Sequence, residues 1–386
     1  MKKIRVAILG AGAIAAAHMD AYLHFPEFCA VTAVCDLFVG KAEKMIAERK
    51  LDAKAFASLD ELLDQCEVDA VSICLPPDMH CKAAVTALHA GKDVLCEKPM
   101  ATSLDECDQM IAAAEKNSRI LSPICQNRFK TPVQKVYRLL ESGMCGKVNL
   151  VSVNSLWWRG ADYYDLWWRG TWENEGGGCL ISHAVHHVDL LQWMVGMPLR
   201  VTAVISNAAH ENSECEDAAI GILEYPGFLA QITASVVTHG EEQELIFQTD
   251  KARLSVPWDP RCETALPNGF PETDAQMLSA LAKQYQELPL CEPEGHPAQI
   301  GNFVRASLGL EPIAVTAQEG RNTIELITAM YASACTRSTV SLPLDPGNAF
   351  YTKQGIIANM PRFHEKTRSV DNFAPSRITL GRDVGK

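Results

Sequence analysis

Residues 4 to 15 read IRVAILGAGAIA, a short apolar run that passes into a GxGxxA pattern at Gly10, Gly12 and Ala15. The apolar run predicts a buried strand, and residues 13 to 23 predict the helix that follows it. Gly10 permits a tight bend, Gly12 lets a pyrophosphate approach the backbone, and the small Ala15 allows close contact between helix and strand. The helix N-terminus offers unpaired N–H groups to phosphate oxygens. The stretch therefore predicts a dinucleotide-binding turn.

A second apolar run, residues 31 to 36, ends at Asp36, which follows Ala15 by 21 residues. An acidic side chain at this distance accepts hydrogen bonds from the adenosine ribose hydroxyls and repels a 2′-phosphate. Leu37 and Phe38 come next, without an adjacent arginine. This pattern favours NAD over NADP as the coenzyme.

The rest of the first third alternates strand-like runs with helix-like segments such as Ser103 to Glu115. Such alternation builds a parallel sheet with helices on both faces, an α/β fold. With 386 residues, 47% of them hydrophobic, the chain is too long for one typical core, so two domains are expected. The predicted strands of the first domain are residues 4 to 10, 31 to 36, 68 to 76, 92 to 99 and 119 to 126.

The composition excludes several classes of protein. The net charge of −12 opposes nucleic-acid binding, which needs clustered Lys and Arg. No apolar segment approaches ~18 residues, and the N-terminus lacks the apolar part of a signal peptide, so we expect a cytoplasmic protein without a membrane span. The 14 cysteines include no CxxC spacing, and we interpret them as reduced core thiols rather than disulfides or a zinc cluster.

Two segments carry candidate chemistry. Glu97-Lys98-Pro99 ends a predicted strand, where doubly wound sheets bind their ligands. The lysine amine could hydrogen-bond a reacting hydroxyl and stabilise the developing alkoxide, with partial burial lowering its pKa. Residues 175 to 193 read EGGGCLISHAVHHVDLLQW and predict a helix after three glycines. At 3.6 residues per turn, one side of it holds Ser182, His186, Asp189 and Trp193, and another holds His183, His187 and Leu190.

The chain resembles the glucose-fructose oxidoreductase, inositol dehydrogenase and rhizopine catabolism family (Gfo/Idh/MocA). The matching stretches are GAGAIAAAH at 10 to 18, EKP at 97 to 99, QNRF at 126 to 129, GGGCLISHAVHHVD at 176 to 189, HPAQIGNFVRASLGLEPI at 296 to 313 and YASACTRSTVSLPL at 331 to 344. The resemblance implies an N-terminal Rossmann domain, followed by an α/β domain with a large, mostly antiparallel, open-faced sheet. Substrate is expected on one face of that sheet and a homo-oligomer interface on the other. The predicted division is 1 to 126, 127 to 344, and a C-terminal extension from 345 to 386 that could form an arm over a neighbouring subunit.

The resemblance also assigns site residues. It implies that Lys98 and His186 are catalytic and that Glu97 and Pro99 position the nicotinamide ribose. The predicted coenzyme contacts are Gly10, Gly12, Ala13, Ile14, Asp36, Leu75, Pro76, His80, Glu97, Lys98, Pro99 and Gln126. The predicted substrate contacts are Lys98, Arg128, Tyr163, Tyr164, Trp168, Arg169, Ser182, His183 and His186.

One position departs from the family pattern. Many relatives carry an aspartate four residues before the catalytic histidine, where this chain has Ser182. A serine cannot supply the negative charge that supports a protonated lysine or imidazole. The general base is open between His186 and Lys98, with His186 favoured because its unperturbed pKa lies near neutrality. The residues that could compensate for the missing aspartate are Asp189, His183 and His187.

An aromatic segment precedes the glycine triplet. Residues 157 to 172 read WWRGADYYDLWWRGTW and hold five of the chain's seven tryptophans. Neighbouring side chains on a strand alternate faces, so the Trp-Trp pairs cannot all turn inward. With the resemblance, the segment is interpreted as a sugar platform, whose rings contact the C–H patches of a pyranose. Trp157 and Trp167 could instead be core or interface anchors, and His239 could lie over the pocket or on the far face of the sheet.

These features predict an NAD-dependent oxidation of a secondary alcohol in a sugar or glycoside, at C3 of the pyranose, giving a 3-keto sugar. The alternatives are a cyclitol dehydrogenase, a redox-assisted glycosidase or sugar-sugar oxidoreductase with retained coenzyme, and a ligand-sensing protein. A metal-assisted lyase could use His183 and His187, which are four residues apart as zinc ligands on helices are. Since no HExxH pattern accompanies them, we predict no metal.

Overall fold

The computed structural model describes residues 3–372, and its N-terminal half is built on a parallel sheet. The strands are β1 (Ile4–Leu9), β2 (Cys29–Cys35), β3 (Lys54–Phe56), β4 (Ala70–Ile73), β5 (Asp93–Cys96) and β6 (Leu121–Pro123). The helices are α1 (Ala13–Tyr22), α2 (Val39–Glu48), α3 (Leu59–Gln65), α4 (His80–His89) and α5 (Leu104–Asn117). The strand order β3-β2-β1-β4-β5-β6 is that of a dinucleotide-binding Rossmann fold, which confirms the predicted fold class. The three-residue β3 was not predicted, because so short a strand leaves no clear pattern.

Strand β1 shows why this sheet is buried on both faces. Val6 and Ile8 pack with Met19 of α1, whereas Ala7 and Leu9 join the apolar cluster on the opposite face. Since side chains alternate along a strand, a fully apolar run requires helices on both sides.

A mixed, mostly antiparallel sheet forms the second half. Its strands are β7 (Val148–Leu156), β8 (Arg200–Ser206), β9 (Ala218–Tyr225), β10 (Phe228–Ser235), β11 (Gln243–Thr249), β12 (Arg253–Val256) and β15 (Val340–Ser341), and β13 (Glu263–Ala265) and β14 (Pro271–Thr273) form a separate hairpin. The order is β12-β11-β7-β10-β9-β8-β15, in which β7 and β10 pair in parallel. The predicted second sheet is confirmed.

The helices of this half lie either on one face of the second sheet or against the first half, and they leave the other face of the second sheet open. They are α6 (Thr131–Glu141), α7 (Val185–Val195), α8 (Ala275–Glu287), α9 (Gly295–Ser307), α10 (Ala317–Thr336) and α11 (Lys353–Asn359). Helix α10 packs on β8 and on α7. The uncovered face carries the half-exposed side chains of Leu150, Val204, Ile220, Ile222 and Leu229.

Two later segments return to the first sheet or to the aromatic segment. Helix α9 packs on α1, with Phe303 and Val304 in the apolar cluster of β1. The tail up to residue 372 lies along its own chain, where Val370 forms a bridge to Leu166 and Pro361 accepts a hydrogen bond of 2.9 Å from the indole N–H of Trp172. The arm over a neighbouring subunit stays a prediction for residues 345–372, and residues 373–386 lie outside the described residues.

The described chain carries all 14 cysteines as free thiols, eleven of them buried, as the interpretation of core thiols predicts. None of the helices within residues 3–372 combines the length and apolar character needed to cross a membrane.

Candidate active site

The turn after β1 has the shape that a dinucleotide requires. Gly10 has a φ of +99°, and a Cβ there would lie 2.4 Å from the carbonyl oxygen of Cys74. Gly12 is the N-cap of α1, and a Cβ at this position would meet nothing within 4 Å. The turn is thus closed toward the protein at Gly10 and open at Gly12, where phosphates can approach the helix N-terminus.

Asp36 ties this turn to the end of β2. Its carboxylate accepts hydrogen bonds from the backbone N–H of Ala11 at 2.8 Å and of Phe38 at 2.9 Å. The side chain remains partly exposed at the edge of the turn. The glycine turn and this carboxylate therefore fit the phosphates and the adenosine ribose of a dinucleotide.

The other predicted coenzyme contacts differ in accessibility. Ala13, Ile14, Leu75, Pro76 and Gln126 are exposed or partly exposed. His80 departs from the prediction, because it is 1% exposed and its two ring nitrogens lie 2.8 Å from the carbonyl oxygens of Leu75 and Pro99. It holds two loops together, so a direct coenzyme contact is corrected to a positioning role.

Glu97 lies at the centre of a buried polar cluster that the sequence analysis did not recognise. One carboxylate oxygen is 2.9 Å from Nε2 of His18 and 3.5 Å from Nε2 of His296, and the other accepts the backbone N–H of Lys98 at 3.0 Å. Burial disfavours the charge of Glu97, but the hydrogen bonds from His18 and His296 outweigh it and hold its pKa well below 4.5. The sequence does offer a signal for this role of His18, because His18 is a polar residue within a largely apolar helical segment.

The same three residues are also a possible metal group. Within the described chain, His18, Glu97 and His296 have ligand atoms that all lie within 4.8 Å of one another. The separation of 2.9 Å between Nε2 of His18 and the Glu97 carboxylate is that of a direct hydrogen bond, so these two groups are paired with each other without an ion between them.

Lys98 connects the two halves of the molecule. Its Nζ donates a hydrogen bond of 3.0 Å to the backbone carbonyl of Ser182. Burial lowers the pKa of Lys98 below 10.5, although Glu97 opposes this. Lys98 and His186 line one small cavity between β6, α7 and α10. The amine and the imidazole thus lie at the same place in the fold.

The segment before α7 is not a regular α-helix. Leu180–Ala184 form a π-helical turn, in which hydrogen bonds span five residues rather than four. The predicted face with Ser182 and His186 is therefore corrected: the Ser182 hydroxyl lies 2.7 Å from the Gly178 carbonyl and 2.8 Å from Nδ1 of His183. Ser182 reaches Lys98 through its carbonyl instead of its side chain.

The three histidines of this segment have different environments. Burial, together with the positive charge of Lys98, holds the pKa of His186 well below 6.5, so its imidazole is neutral near pH 7. Burial and the charges of Arg159 and Arg169 do the same for His183. His187 is fully buried, and burial lowers its pKa to about 3. Its ring nitrogens find no hydrogen-bond partner within residues 3–372. His187 is a core residue, and it does not form a metal group with His183 in the described chain.

Arg128 and Asp189 are engaged with each other. Arg128 is 2% exposed, and its guanidinium donates two hydrogen bonds, of 2.9 and 2.7 Å, to the Asp189 carboxylate and one of 2.6 Å to Glu319. Neither residue is therefore available for the predicted role, which was substrate contact for Arg128 and compensation at Ser182 for Asp189. Glu97 and the buried Glu175 are instead the negative charges that act on Lys98.

Glu216 holds the glycine triplet and was also missed from the sequence. Its carboxylate accepts the N–H groups of Gly178 and Leu180, each at 3.0 Å, and the hydroxyl of Tyr331 at 2.9 Å. Burial raises its pKa to about 7.

The aromatic segment divides into core and surface. Trp157, Tyr164 and Trp172 are at most 7% exposed, which corrects the predicted substrate contact of Tyr164. Tyr163, Trp168 and Arg169 remain partly exposed, with the guanidinium 4.0 Å from the Tyr163 ring centre, 4.2 Å from that of Trp168 and 2.8 Å from Glu175. Trp158 and Trp167 are exposed, and the exposed His239 stacks on Trp158 at 5.8 Å.

Known protein families match both halves. Residues 4–124 match the oxidoreductase family with an NAD-binding Rossmann fold, and residues 133–255 match the GFO/IDH/MocA C-terminal domain. The chain is 24% identical over 360 residues to D-glucoside 3-dehydrogenase of Escherichia coli K12, which covers 88% of this chain and 97% of that protein. It is 24% identical over 202 residues to inositol 2-dehydrogenase of Salmonella typhimurium, covering 52% of this chain and 57% of that protein.

Solved structures agree with these matches. The WlbA dehydrogenase from Bordetella pertussis, in complex with NADH and UDP-GlcNAcA, is 28% identical, has a TM-score of 0.78, and covers 89% of this chain and 99% of its own. A levoglucosan dehydrogenase, at 18% identity and a TM-score of 0.74, shares the fold over 89% of this chain and all of its own. The chain therefore belongs to the GFO/IDH/MocA family of sugar and polyol dehydrogenases, oxidoreductases that bind NAD(H) and act on CH–OH groups.

Proposed function

We propose that this protein is an NAD-dependent dehydrogenase that oxidises a secondary alcohol of a sugar or glycoside at C3 of the pyranose. The observation that carries the proposal is that Lys98 and His186 adjoin each other around a void of about 20 Å³, with the amine tethered to Ser182 across the two halves. Bound NAD supplies the nicotinamide ring that accepts the hydride. The side chains of the protein must therefore remove the hydroxyl proton and stabilise the alkoxide.

His186 is the general base in this proposal. Its lowered pKa keeps the imidazole neutral near pH 7, and a neutral ring nitrogen can take the hydroxyl proton. Lys98 donates a hydrogen bond to the same oxygen and stabilises its developing negative charge. Glu97 and Glu175 oppose the effect of burial on the pKa of Lys98, and in this way they take the place of the aspartate that relatives carry at the position of Ser182.

The coenzyme preference for NAD rests on Asp36. A carboxylate at the end of β2 accepts ribose hydroxyls and repels a 2′-phosphate. The residues that would hold the coenzyme are Gly10, Gly12, Ala13, Ile14, Asp36, Leu75, Pro76, Glu97, Lys98, Pro99 and Gln126.

The substrate class rests on the partly exposed aromatic side chains. Tyr163, Trp168 and Arg169 form a partly exposed group in which the guanidinium lies over both rings. Aromatic rings and guanidinium groups can contact the C–H patches and hydroxyls of a pyranose. His183 adjoins them, 5.7 Å from the ring of Tyr163. A relative that covers 88% of this chain is a D-glucoside 3-dehydrogenase, which supports a glycoside and position C3.

The open face of the second sheet is the proposed interface of a homo-oligomer. Its apolar side chains, such as Ile220 at 53% and Val204 at 62% exposure, lie side by side on neighbouring strands. Contiguous exposed apolar surface of this kind is typical of protein interfaces.

The test is a screen of NAD reduction with free sugars, alkyl and aryl glycosides, and cyclitols. We expect a glycoside to give NADH in stoichiometric amount, which also excludes a retained coenzyme. With that substrate, Lys98→Met and His186→Asn should each lose at least about 100-fold in kcat/KM and still bind NADH. The exposed Lys116→Met and His24→Asn are the matched controls and should keep full activity.

Two results would contradict the proposal. If myo-inositol is oxidised and every glycoside fails, the protein is a cyclitol dehydrogenase. If Lys98→Met turns over at the wild-type rate, the proposed chemistry is wrong, whatever the substrate.

A further inference from the structure

His18 is a polar residue in an otherwise apolar part of α1. It is fully buried, and both its ring nitrogens have partners. Nδ1 lies 2.8 Å from the hydroxyl of Ser72 on β4, and Nε2 lies 2.9 Å from the Glu97 carboxylate. A neutral imidazole satisfies both contacts by accepting from Ser72 and donating to Glu97.

The chain of hydrogen bonds continues from Glu97 to Lys98. The second carboxylate oxygen of Glu97 accepts the backbone N–H of Lys98 at 3.0 Å, and the backbone N–H of Glu97 donates to the carbonyl of Ile73 at 2.9 Å. The position of the Glu97 side chain therefore fixes the backbone from which the Lys98 amine extends. His296 of α9 reaches the same carboxylate at the longer distance of 3.5 Å.

Lys98 is thus held at three points. The His18–Glu97 pair fixes its backbone N–H, His80 fixes the following residue through the carbonyl of Pro99 at 2.8 Å, and the amine itself donates to Ser182. Of these contacts, the one with His18 begins on α1, whose N-terminus carries the coenzyme turn.

We infer that His18 is a positioning residue for Lys98, acting through Glu97, and that it links the coenzyme helix to the reactive amine. The inference rests on the proposed function, since it concerns the lysine of that reaction. His18 touches no reacting atom. Its effect is to keep the backbone at Lys98 in one arrangement, and this matters because a misplacement of about 1 Å can lower a rate about 100-fold.

Two substitutions separate this role from simple core packing. The amide nitrogen of His18→Gln can occupy the place of Nε2 and donate to Glu97, whereas that of His18→Asn reaches only the place of Nδ1, near Ser72. Hydrogen–deuterium exchange of the full-length protein, with and without NADH, reports the backbone N–H of Lys98 directly. We expect His18→Asn to lose protection there at least about 10-fold and His18→Gln to retain it, with α1 and β4 unchanged in both.

Turnover gives the second readout. In His18→Asn, kcat should fall about 10-fold to 100-fold while the Kd for NADH and the KM for the sugar stay within about threefold of wild type. In His18→Gln, all three constants should stay near wild type.

Equal loss of protection in both variants, or unchanged protection in His18→Asn, would overturn the inference. Stoichiometric metal in the purified protein, lost in both variants, would overturn it too. An active Lys98→Met variant would instead refute the proposed function, so the two failures are distinguishable.

Discussion

The coenzyme turn from Gly10 to Asp36 and the glycine triplet before α7 both place backbone N–H groups around a carboxylate, but they do so over different distances in the chain. In the first, Asp36 accepts the N–H of Ala11, 25 residues away, across two neighbouring strands. In the second, Glu216 lies 38 residues from Gly178, in the segment just before β9. Asp36 is partly exposed and Glu216 is fully buried. The comparison teaches that both turns depend on a carboxylate distant in the chain, but that only Asp36 is recognisable from the sequence, because it ends an apolar run at a defined spacing from the glycine turn.

The largest expected effect lies in the glycine triplet. A Cβ at Gly178 would lie 1.8 Å from the backbone oxygen of Glu216, where neither group can move away. We expect Gly178→Ala to destabilise the protein by at least about 4 kcal/mol, which urea unfolding would measure. Gly40→Ala, in open space at the start of α2, is the control and should change stability by no more than about 1 kcal/mol. A normally stable Gly178→Ala would mean that the triplet does not pack on Glu216.

A second pair of substitutions examines the coenzyme turn. Gly10→Ala combines a positive φ with a contact of 2.4 Å to Cys74 and should cost about 2 to 3 kcal/mol of stability. Gly12→Ala meets nothing and should fold normally, but its methyl group would stand where the pyrophosphate approaches, raising the Kd for NADH about 10-fold or more. Thermal unfolding and NADH titration separate the two effects. Equal NADH affinity in Gly12→Ala and wild type would show that the coenzyme phosphates do not bind at this turn.

The buried carboxylate should make stability depend on pH. The pKa of Glu216 is raised from 4.5 to about 7 in the folded protein, so the folded protein binds this proton more tightly than the unfolded chain does. Its stabilisation is fully present below pH 4.5 and is lost as the pH rises through 7, about 3 kcal/mol in all. The difference in unfolding free energy between wild type and Glu216→Gln, measured from pH 4.5 to 8, should follow this curve. A difference that stays constant with pH would show that Glu216 is not titrating in this range.

The smallest effect is expected at Asp36, because its carboxylate is partly exposed. Asp36→Ser removes the contact with the ribose hydroxyls and the repulsion of a 2′-phosphate. We expect kcat/KM with NAD to fall about 10-fold and the activity with NADP to rise, which narrows the preference between the coenzymes. Leu37→Ser, at the exposed neighbouring residue, serves as the control. An unchanged ratio of NAD to NADP activity would exclude Asp36 as the selecting group.

The sequence predicted every strand of the first sheet except β3 to within a few residues, because apolar runs and glycine turns act over short distances. It also singled out Lys98 and His186, which share one cavity. It assigned Arg128 and Tyr164 to the substrate, and both are buried. A residue type shows that a side chain can bind a sugar, but whether an acidic partner such as Asp189 already occupies it depends on packing.

The sequence by itself determined the Rossmann sheet, the coenzyme turn and the family, since each is encoded in contiguous stretches whose backbone geometry follows from glycine, alternation and helix periodicity. Only the tertiary structure decided which polar groups are paired in the interior. The contact of Glu216 with the glycine triplet and the link from His18 to Lys98 join residues far apart in the chain. The π-helical turn at Leu180–Ala184 is local, but helix periodicity did not predict it. Hydrogen bonds of this kind depend on where the chain brings donors and acceptors together, and residue spacing alone does not contain that information.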